Sequence, residues 1–143
     1  MISEGFAFWL VQGPGWLLVA YLAVAQGLSA LRYEWGVRMG TQEPAERITR
    51  IGVAFFWAFA FADLVYTPLL AIGLAGYWAG AGWAAPILAA ALGITVYWPI
   101  VCLAAVAHAR GTPGWTLPKE RDYWIVLPII ALWGAVALWL VAA

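Results

Sequence analysis

The residue with the clearest chemical potential is Asp63, which lies near the middle of an apolar stretch at residues 51–75. No Lys, Arg or His lies at a similar depth in the other apolar stretches. An ionised carboxylate at the centre of a membrane-spanning helix costs at least about 2.5–3.5 kcal/mol. The side chain is therefore either protonated at neutral pH or neutralised by a group from outside the chain. This pattern predicts a ligand-binding or proton-exchange site, with a structural hydrogen bond to Tyr or Thr as the alternative.

Several polar and aromatic side chains are expected at the depth of Asp63. A helix rises about 1.5 Å per residue, so Asp63 lies roughly 18 Å from the start of its stretch, and residues at the same level can be assigned in the neighbouring helices. Pro68 and Pro99 lack main-chain N–H groups and so leave carbonyl oxygens available nearby. The predicted pocket consists of Tyr21, Asp63, Tyr66, Thr67, Thr95, Tyr97, Trp98 and Trp133.

The composition excludes several classes of protein. Of the 143 residues, 66% are hydrophobic and 10% are charged, and the mean hydropathy is +0.88. A soluble domain carries about 25% charged residues. This chain has too few charged residues for the surface of a cytosolic enzyme, and it is too apolar for a disordered protein. The net charge of zero does not favour nucleic acid, and one Cys with one His excludes a disulfide framework or a multi-cysteine zinc site. We find no catalytic motif and expect no cofactor, no metal and no nucleic-acid partner.

The elements that must position these residues are transmembrane helices, each of which needs about 20 apolar residues. Four segments are long enough, at about 6–31, 51–75, 84–107 and 123–143. The predicted fold is one all-α domain, 1–143, a polytopic integral membrane protein with a four-transmembrane-helix bundle. All 7 Lys and Arg residues lie in the connecting segments 32–50 and 108–122. The positive-inside rule places these loops in the cytoplasm and both termini outside (N-out/C-out), in a multi-pass protein of the bacterial inner membrane.

Local signals predict where the helices start and how they pack. Gly13-Pro14-Gly15 interrupts the first span, so its helix proper is expected to start near Pro14. Glu43-Pro44 indicates that the second helix starts in the cytoplasm. Small residues spaced by four predict tight packing of the second and third helices, with an oligomer interface as the alternative. These residues are Ala54, Ala58, Ala62, Ala85, Ala89 and Gly93.

One part of the chain resembles a known family. The motif is Ala62-Asp63-Leu64-Val65-Tyr66-Thr67-Pro68, followed by Tyr77, Trp83, Pro86 and Tyr97-Trp98-Pro99-Ile100. It is similar to the EXPERA membrane family, which includes the sigma-2 receptor and the emopamil-binding sterol isomerases. The resemblance covers residues 62–100 and implies a four-helix unit around a lipophilic ligand, with Asp63 facing the ligand's cationic or carbocationic part. Two features differ, because the first span carries no acid and the basic residues indicate the inverse of the family's cytoplasmic termini.

Three functions are compatible with these observations. In the first, the protein binds or transports a lipophilic or cationic small molecule in the pocket at Asp63, where proton exchange would couple any transport. In the second, it is a structural or accessory subunit whose small-residue stripes pack against other membrane subunits or a second copy in a homodimer. The third is a lipid- or sterol-modifying enzyme of the EXPERA type. The first is the leading hypothesis, because assembly alone explains an unpaired midplane acid poorly; the expected partners are membrane lipids and a lipophilic small molecule.

Overall fold

Helices account for all regular structure in residues 4–143, the part of the chain that the computed structural model describes. In chain order they are α1 (Glu4–Tyr21), a π-helical turn (Leu22–Gln26), α2 (Gly27–Leu31), α3 (Tyr33–Met39), α4 (Arg50–Trp78), α5 (Ala84–Ala109) and α6 (Glu120–Ala142). Four stretches are long and apolar enough to cross a membrane: Gly5–Leu31, Arg50–Trp78, Ala84–Ala109 and Glu120–Ala142. The prediction of an all-α fold with four membrane-length helices is confirmed.

The two basic loops meet at one end of the bundle, which we call the loop end. The main-chain N–H of Thr116 donates to the carbonyl of Arg47 at 3.0 Å. The Lys119 ammonium donates to a carbonyl in the other loop, that of Gly40. At the opposite end, which we call the terminal end, α1 begins beside the α4–α5 turn, where the rings of Phe8 and Trp78 lie 5.5 Å apart. All 7 basic residues therefore lie towards the loop end.

Two clusters of buried apolar side chains hold the long helices together. Helix α5 packs against both α4 and α6, and α1 packs against the same two helices. The cluster towards the terminal end includes Leu22, Leu70, Leu74, Leu88 and Leu92. The cluster towards the loop end includes Tyr33, Phe56, Val106 and Leu127. Because α4 contributes to both clusters, Asp63 lies between them along that helix.

Helix α1 does not start near Pro14 as predicted, but continues through it from Glu4 to Tyr21. A proline inside a helix leaves the carbonyl four residues earlier without its usual donor, which here is the carbonyl of Leu10. The indole N–H of Trp133 donates to that oxygen at 2.9 Å. This bond from α6 compensates for the missing N–H, so the helix tolerates the proline.

Helix α4 begins at Arg50, and the prediction of a start at Glu43-Pro44 is wrong. Thr49 caps the helix, because its side-chain oxygen accepts the main-chain N–H of Gly52 at 3.2 Å. The side chain of Glu43 has an exposed fraction of 0% and packs inside the loop end. A tertiary contact therefore overrides the local helix-start signal.

The alanine stripe on α4 was predicted to pack against α5, but it lies on the outer surface, with Ala54, Ala58 and Ala62 all exposed. The close approach of α4 to α5 occurs instead at Gly73. A Cβ atom placed on Gly73 would lie 2.9 Å from the main-chain Cα of Leu88. Backbone cannot move aside as a side chain can, so only glycine permits this helix spacing.

We therefore expect Gly73→Ala to lower the free energy of unfolding by about 1–3 kcal/mol, because the added methyl group forces the two helices apart. Gly93→Ala is the matched control, since a Cβ at Gly93 meets nothing within 4 Å. It should leave stability unchanged or slightly raised, as alanine favours a helix. Denaturation in mixed SDS micelles measures both variants, and equal stability of the two would refute this account of the α4–α5 contact.

Candidate functional site

Asp63 lines a cavity of about 340 Å³ in the half of the bundle nearer the loop end. It lies about 20 Å along α4 from Arg50, at about 1.5 Å per residue. Its exposed fraction is 3%, and its Oδ2 atom has no hydrogen-bond partner within residues 4–143. A buried polar atom without a partner costs about 1–3 kcal/mol. The cavity is therefore lined by an acid that has one carboxyl oxygen without a partner in the described fold.

The cavity combines an aromatic wall with a group of polar residues on its side nearer the loop end, which we call its mouth. The aromatic residues that line it are Tyr21, Phe56, Phe59, Trp98 and Tyr123. The polar residues that line it nearer the loop end are Gln26, Thr41, Gln42, Lys119 and Asp122. The rings of Phe56 and Tyr123 are stacked with centroids 5.8 Å apart. An apolar wall with a few convergent polar groups is the usual composition of a small-molecule site.

The π-helical turn Leu22–Gln26 shapes one side of this cavity. Both Tyr21, which precedes the turn, and Gln26, which ends it, line the cavity. The Gln26 side-chain oxygen accepts a hydrogen bond from the Gln42 amide at 2.9 Å, which ties the first long helix to the loop. Single π-helical turns are frequent at functional sites. The sequence of the turn is ordinary for a helix, so the residues alone could not have revealed it.

Three predicted pocket residues, Tyr66, Thr67 and Thr95, form hydrogen bonds within the bundle. Thr95 donates its hydroxyl proton to the carbonyl of Ala91 at 2.9 Å. In the bond between the Tyr66 and Thr95 hydroxyl groups, Tyr66 is therefore the donor. Thr67 donates to the main-chain carbonyl of Asp63 at 2.6 Å. The Tyr66–Thr95 bond joins α4 to α5, whereas the other two bonds lie within single helices. The lining of the cavity among the described residues does not include the three side chains.

The two remaining predicted residues, Tyr97 and Trp133, lie away from the cavity. Tyr97 is 68% exposed on the outer face of α5, and the Trp133 indole is bonded to the main chain of α1. Successive residues on a helix are rotated by about 100°, so Trp98 faces inward although Tyr97 faces outward. Of the predicted set, the structure brings Tyr21, Asp63 and Trp98 together at the cavity.

Glu43 is a second buried acid, which the sequence analysis missed as a side chain of interest. Its Oε1 accepts the main-chain N–H of Lys119 at 3.2 Å, and its main-chain carbonyl accepts the Tyr33 hydroxyl at 2.8 Å. Burial raises the pKa of the Glu43 carboxyl above its ordinary value of 4.5, although hydrogen bonds from Lys119 and Tyr123 oppose the rise. Burial also raises the pKa of Tyr33 to about 12. The sequence offered one signal, an acid in a basic loop, and that signal is not specific.

The charges around the cavity favour a cationic occupant. Among the described lining residues, two carboxyl groups, those of Asp63 and Asp122, outnumber one ammonium group, that of Lys119. Aromatic faces add to this preference, because they attract a cation within about 6 Å of the ring centroid. Cys102 is buried in the same wall. Within the described chain, no group of three His, Cys, Asp or Glu side chains is arranged to hold a metal ion.

The fold and the cavity define a class, which is a bundle of four membrane-length helices that surrounds an aromatic cavity with one unpartnered acid. Comparison with known proteins finds no family model, no curated protein and no solved structure that matches the chain. The similarity to the EXPERA family thus remains a resemblance over residues 62–100. Functional inference depends on the chain's own residues.

Proposed function

We propose that this is a multi-pass membrane protein that binds, and in a dimer transports, a lipophilic organic cation in the cavity at Asp63. The observation that carries the proposal is Asp63, which lines the cavity and whose buried Oδ2 atom lacks a partner within residues 4–143. A cationic ligand would neutralise this carboxylate and satisfy its hydrogen-bonding capacity together. The four membrane-length helices support the membrane location.

The surroundings of Asp63 support a cation with an apolar body. An isolated carboxylate transferred from water to an apolar interior loses solvation energy, which a bound ammonium group offsets through a short-range ion pair. Phe59 and Trp98, with centroids 6.5 Å apart, offer aromatic faces beside the acid. The cavity volume of about 340 Å³ falls within the range of small-molecule sites, about 300–1,000 Å³.

The proposal includes an orientation, with the loops 32–50 and 108–122 in the cytoplasm of a bacterial cell and both termini outside. All 7 basic residues lie towards the loop end, which the positive-inside rule assigns to the cytoplasm. The polar side chains at the cavity mouth, including Gln42 and Lys119, lie at the same end. A ligand would then reach Asp63 from the cytoplasmic side.

Asp63→Asn tests the proposed function, since it keeps the shape of the side chain and removes its negative charge. We expect the purified wild type in micelles to bind phenylbutylamine, a primary ammonium ion with an apolar ring, in isothermal titration calorimetry. The variant should bind at least about tenfold more weakly, because it loses a buried charge pair. Glu46→Gln is the control, as Glu46 is an exposed loop acid. Equal affinity of the wild type and Asp63→Asn would overturn the proposal.

An accessory role is the second candidate, and one observation favours it. Ala54, Ala58 and Ala62 lie exposed on the outer face of α4, flanked by Trp57 and Phe61, which are 40% and 51% exposed. Small residues at this spacing allow another transmembrane helix to approach closely. If this role were correct, bulky substitution at Ala58 would release a co-purifying subunit or dissociate a homodimer, whereas Asp63→Asn would leave the assembly intact.

A further inference from the structure

Two side chains that line the cavity carry buried polar atoms of opposite kind that have no partner among the described residues. Asp63 Oδ2 is a hydrogen-bond acceptor and Trp98 Nε1 is a donor, and neither has a partner among the described residues. Both side chains line the cavity. Two other buried atoms without partners, Glu43 Oε2 and Trp115 Nε1, belong to side chains outside its lining. The unpartnered pair at the cavity is therefore complementary, but the two atoms are not bonded to each other.

We infer that the ligand is an amine carrying an oxygen acceptor a few bonds from its nitrogen, so that its ammonium group contacts Asp63 and its oxygen accepts a hydrogen bond from the Trp98 indole. This inference rests on the proposed function, since it names the chemical class that the same cavity binds. A buried donor and a buried acceptor each cost about 1–3 kcal/mol when unpaired. One molecule that satisfies both removes both costs, and an amine without an oxygen removes only one.

The packing around Trp98 places its ring against α4, close along that helix to Asp63. Its ring lies against Phe59, with centroids 6.5 Å apart. Phe59 stands four residues before Asp63 on α4, which is about one helical turn, or roughly 6 Å, nearer the loop end. This short offset along α4 favours a ligand whose nitrogen and oxygen are only a few bonds apart. The apolar remainder of the ligand then faces Phe56 and Tyr123.

Two matched probes test this inference. Phenylbutylamine and benzyloxyethylamine have the same chain length between ring and nitrogen, and they differ in one position, a methylene group against an ether oxygen. An ether oxygen that is buried in an apolar site weakens binding unless a donor in the site forms a hydrogen bond to it. We expect the wild type to bind benzyloxyethylamine at least as tightly as phenylbutylamine. Trp98→Phe, which removes the donor and keeps an aromatic ring, should shift the ratio of the two affinities about tenfold towards phenylbutylamine.

The possible outcomes separate the inference from the proposed function. If the wild type binds phenylbutylamine tenfold more tightly than the ether, or Trp98→Phe leaves the ratio unchanged, the inference is overturned while binding at Asp63 stands. The wild-type ratio alone decides the matter if Trp98→Phe does not fold. If the wild type binds neither probe, the proposed function itself fails and the inference with it.

Discussion

Replacing Glu43 by alanine is expected to lower the free energy of unfolding by about 3 kcal/mol. The carboxylate accepts the main-chain N–H of Lys119 at 3.2 Å, and so it joins the first basic loop to the start of α6. Alanine would leave that N–H without its acceptor and create a hole, since Glu43 is fully buried. Denaturation in mixed SDS micelles measures the loss.

Glu43→Gln is the matched control, because the amide oxygen can still accept the Lys119 N–H and the side-chain volume is retained. We expect this variant to lose much less stability than Glu43→Ala. If glutamine and alanine were equally disruptive, the charge of Glu43 would matter more than its packing and its bond to Lys119. That result would refute the description of Glu43 as a buried connector between the two loops.

A comparison of Glu43→Gln with the wild type also tests how stability depends on pH. Because burial raises the pKa of Glu43 above 4.5 in the fold, the folded protein binds the proton more tightly than the unfolded chain does. This contribution to stability is fully present below about 4.5, and it is lost as pH rises through the folded-state pKa. The difference in free energy of unfolding between Glu43→Gln and the wild type should therefore grow as pH rises. Parallel pH profiles for the two proteins would contradict the raised pKa.

The four long helices and the prominence of Asp63 could be predicted from the sequence, because both depend on hydropathy along the chain. A membrane-length apolar stretch needs no knowledge of its neighbours. An acid within such a stretch is costly in any packing arrangement. Asp63 was therefore placed correctly inside α4 and in the interior of the bundle, where its exposed fraction is 3%.

The rotation of each helix about its own axis could not be predicted, since hydropathy is high on every face of a membrane helix. Depth alone selected both Tyr97 and Trp98, yet one is 68% exposed and the other lines the cavity. The stripe at Ala54 and Ala58 was assigned to the helix interface for the same reason, and it lies outside. Rotation is set by contacts such as that of Gly73 with Leu88, which become apparent only when two helices are brought together.

The cavity mouth was also beyond prediction, because it is built by contacts between residues far apart in the chain. Gln42 donates to Gln26, and Lys119 donates to Gly40 and Glu43. The loop residues among them are ordinary for a solvated loop when considered alone, and Gln26 is ordinary near the end of a helix. Loop residues that pack inside a bundle can be recognised from sequence only when a local motif identifies them. The motif Glu43-Pro44 predicted a helix start instead, and tertiary contacts override that prediction.

The strongest test of the membrane orientation is a pair of reporter fusions after Ala143, at the terminal end. In a bacterial host, alkaline phosphatase at this position should be highly active, because the enzyme folds only outside the cytoplasm. Green fluorescent protein at the same position should be dark, since it does not become fluorescent when it is exported unfolded. The expected contrast is nearly all-or-none, because the positive-inside rule acts on all 7 basic residues in the same direction.

Fusions after Gly114, in the loop between α5 and α6, provide the internal control and should give the reverse pattern. The two basic loops are joined by the bond from Thr116 to Arg47, so they lie at the same end of the bundle and are expected on the same side of a membrane. The whole bundle therefore has only two orientations available, and the inverted one would place every basic residue outside. A fluorescent fusion after Ala143 would show that inverted orientation. The cavity mouth would then open outward, and an organic cation would reach Asp63 from outside the cell instead of from the cytoplasm.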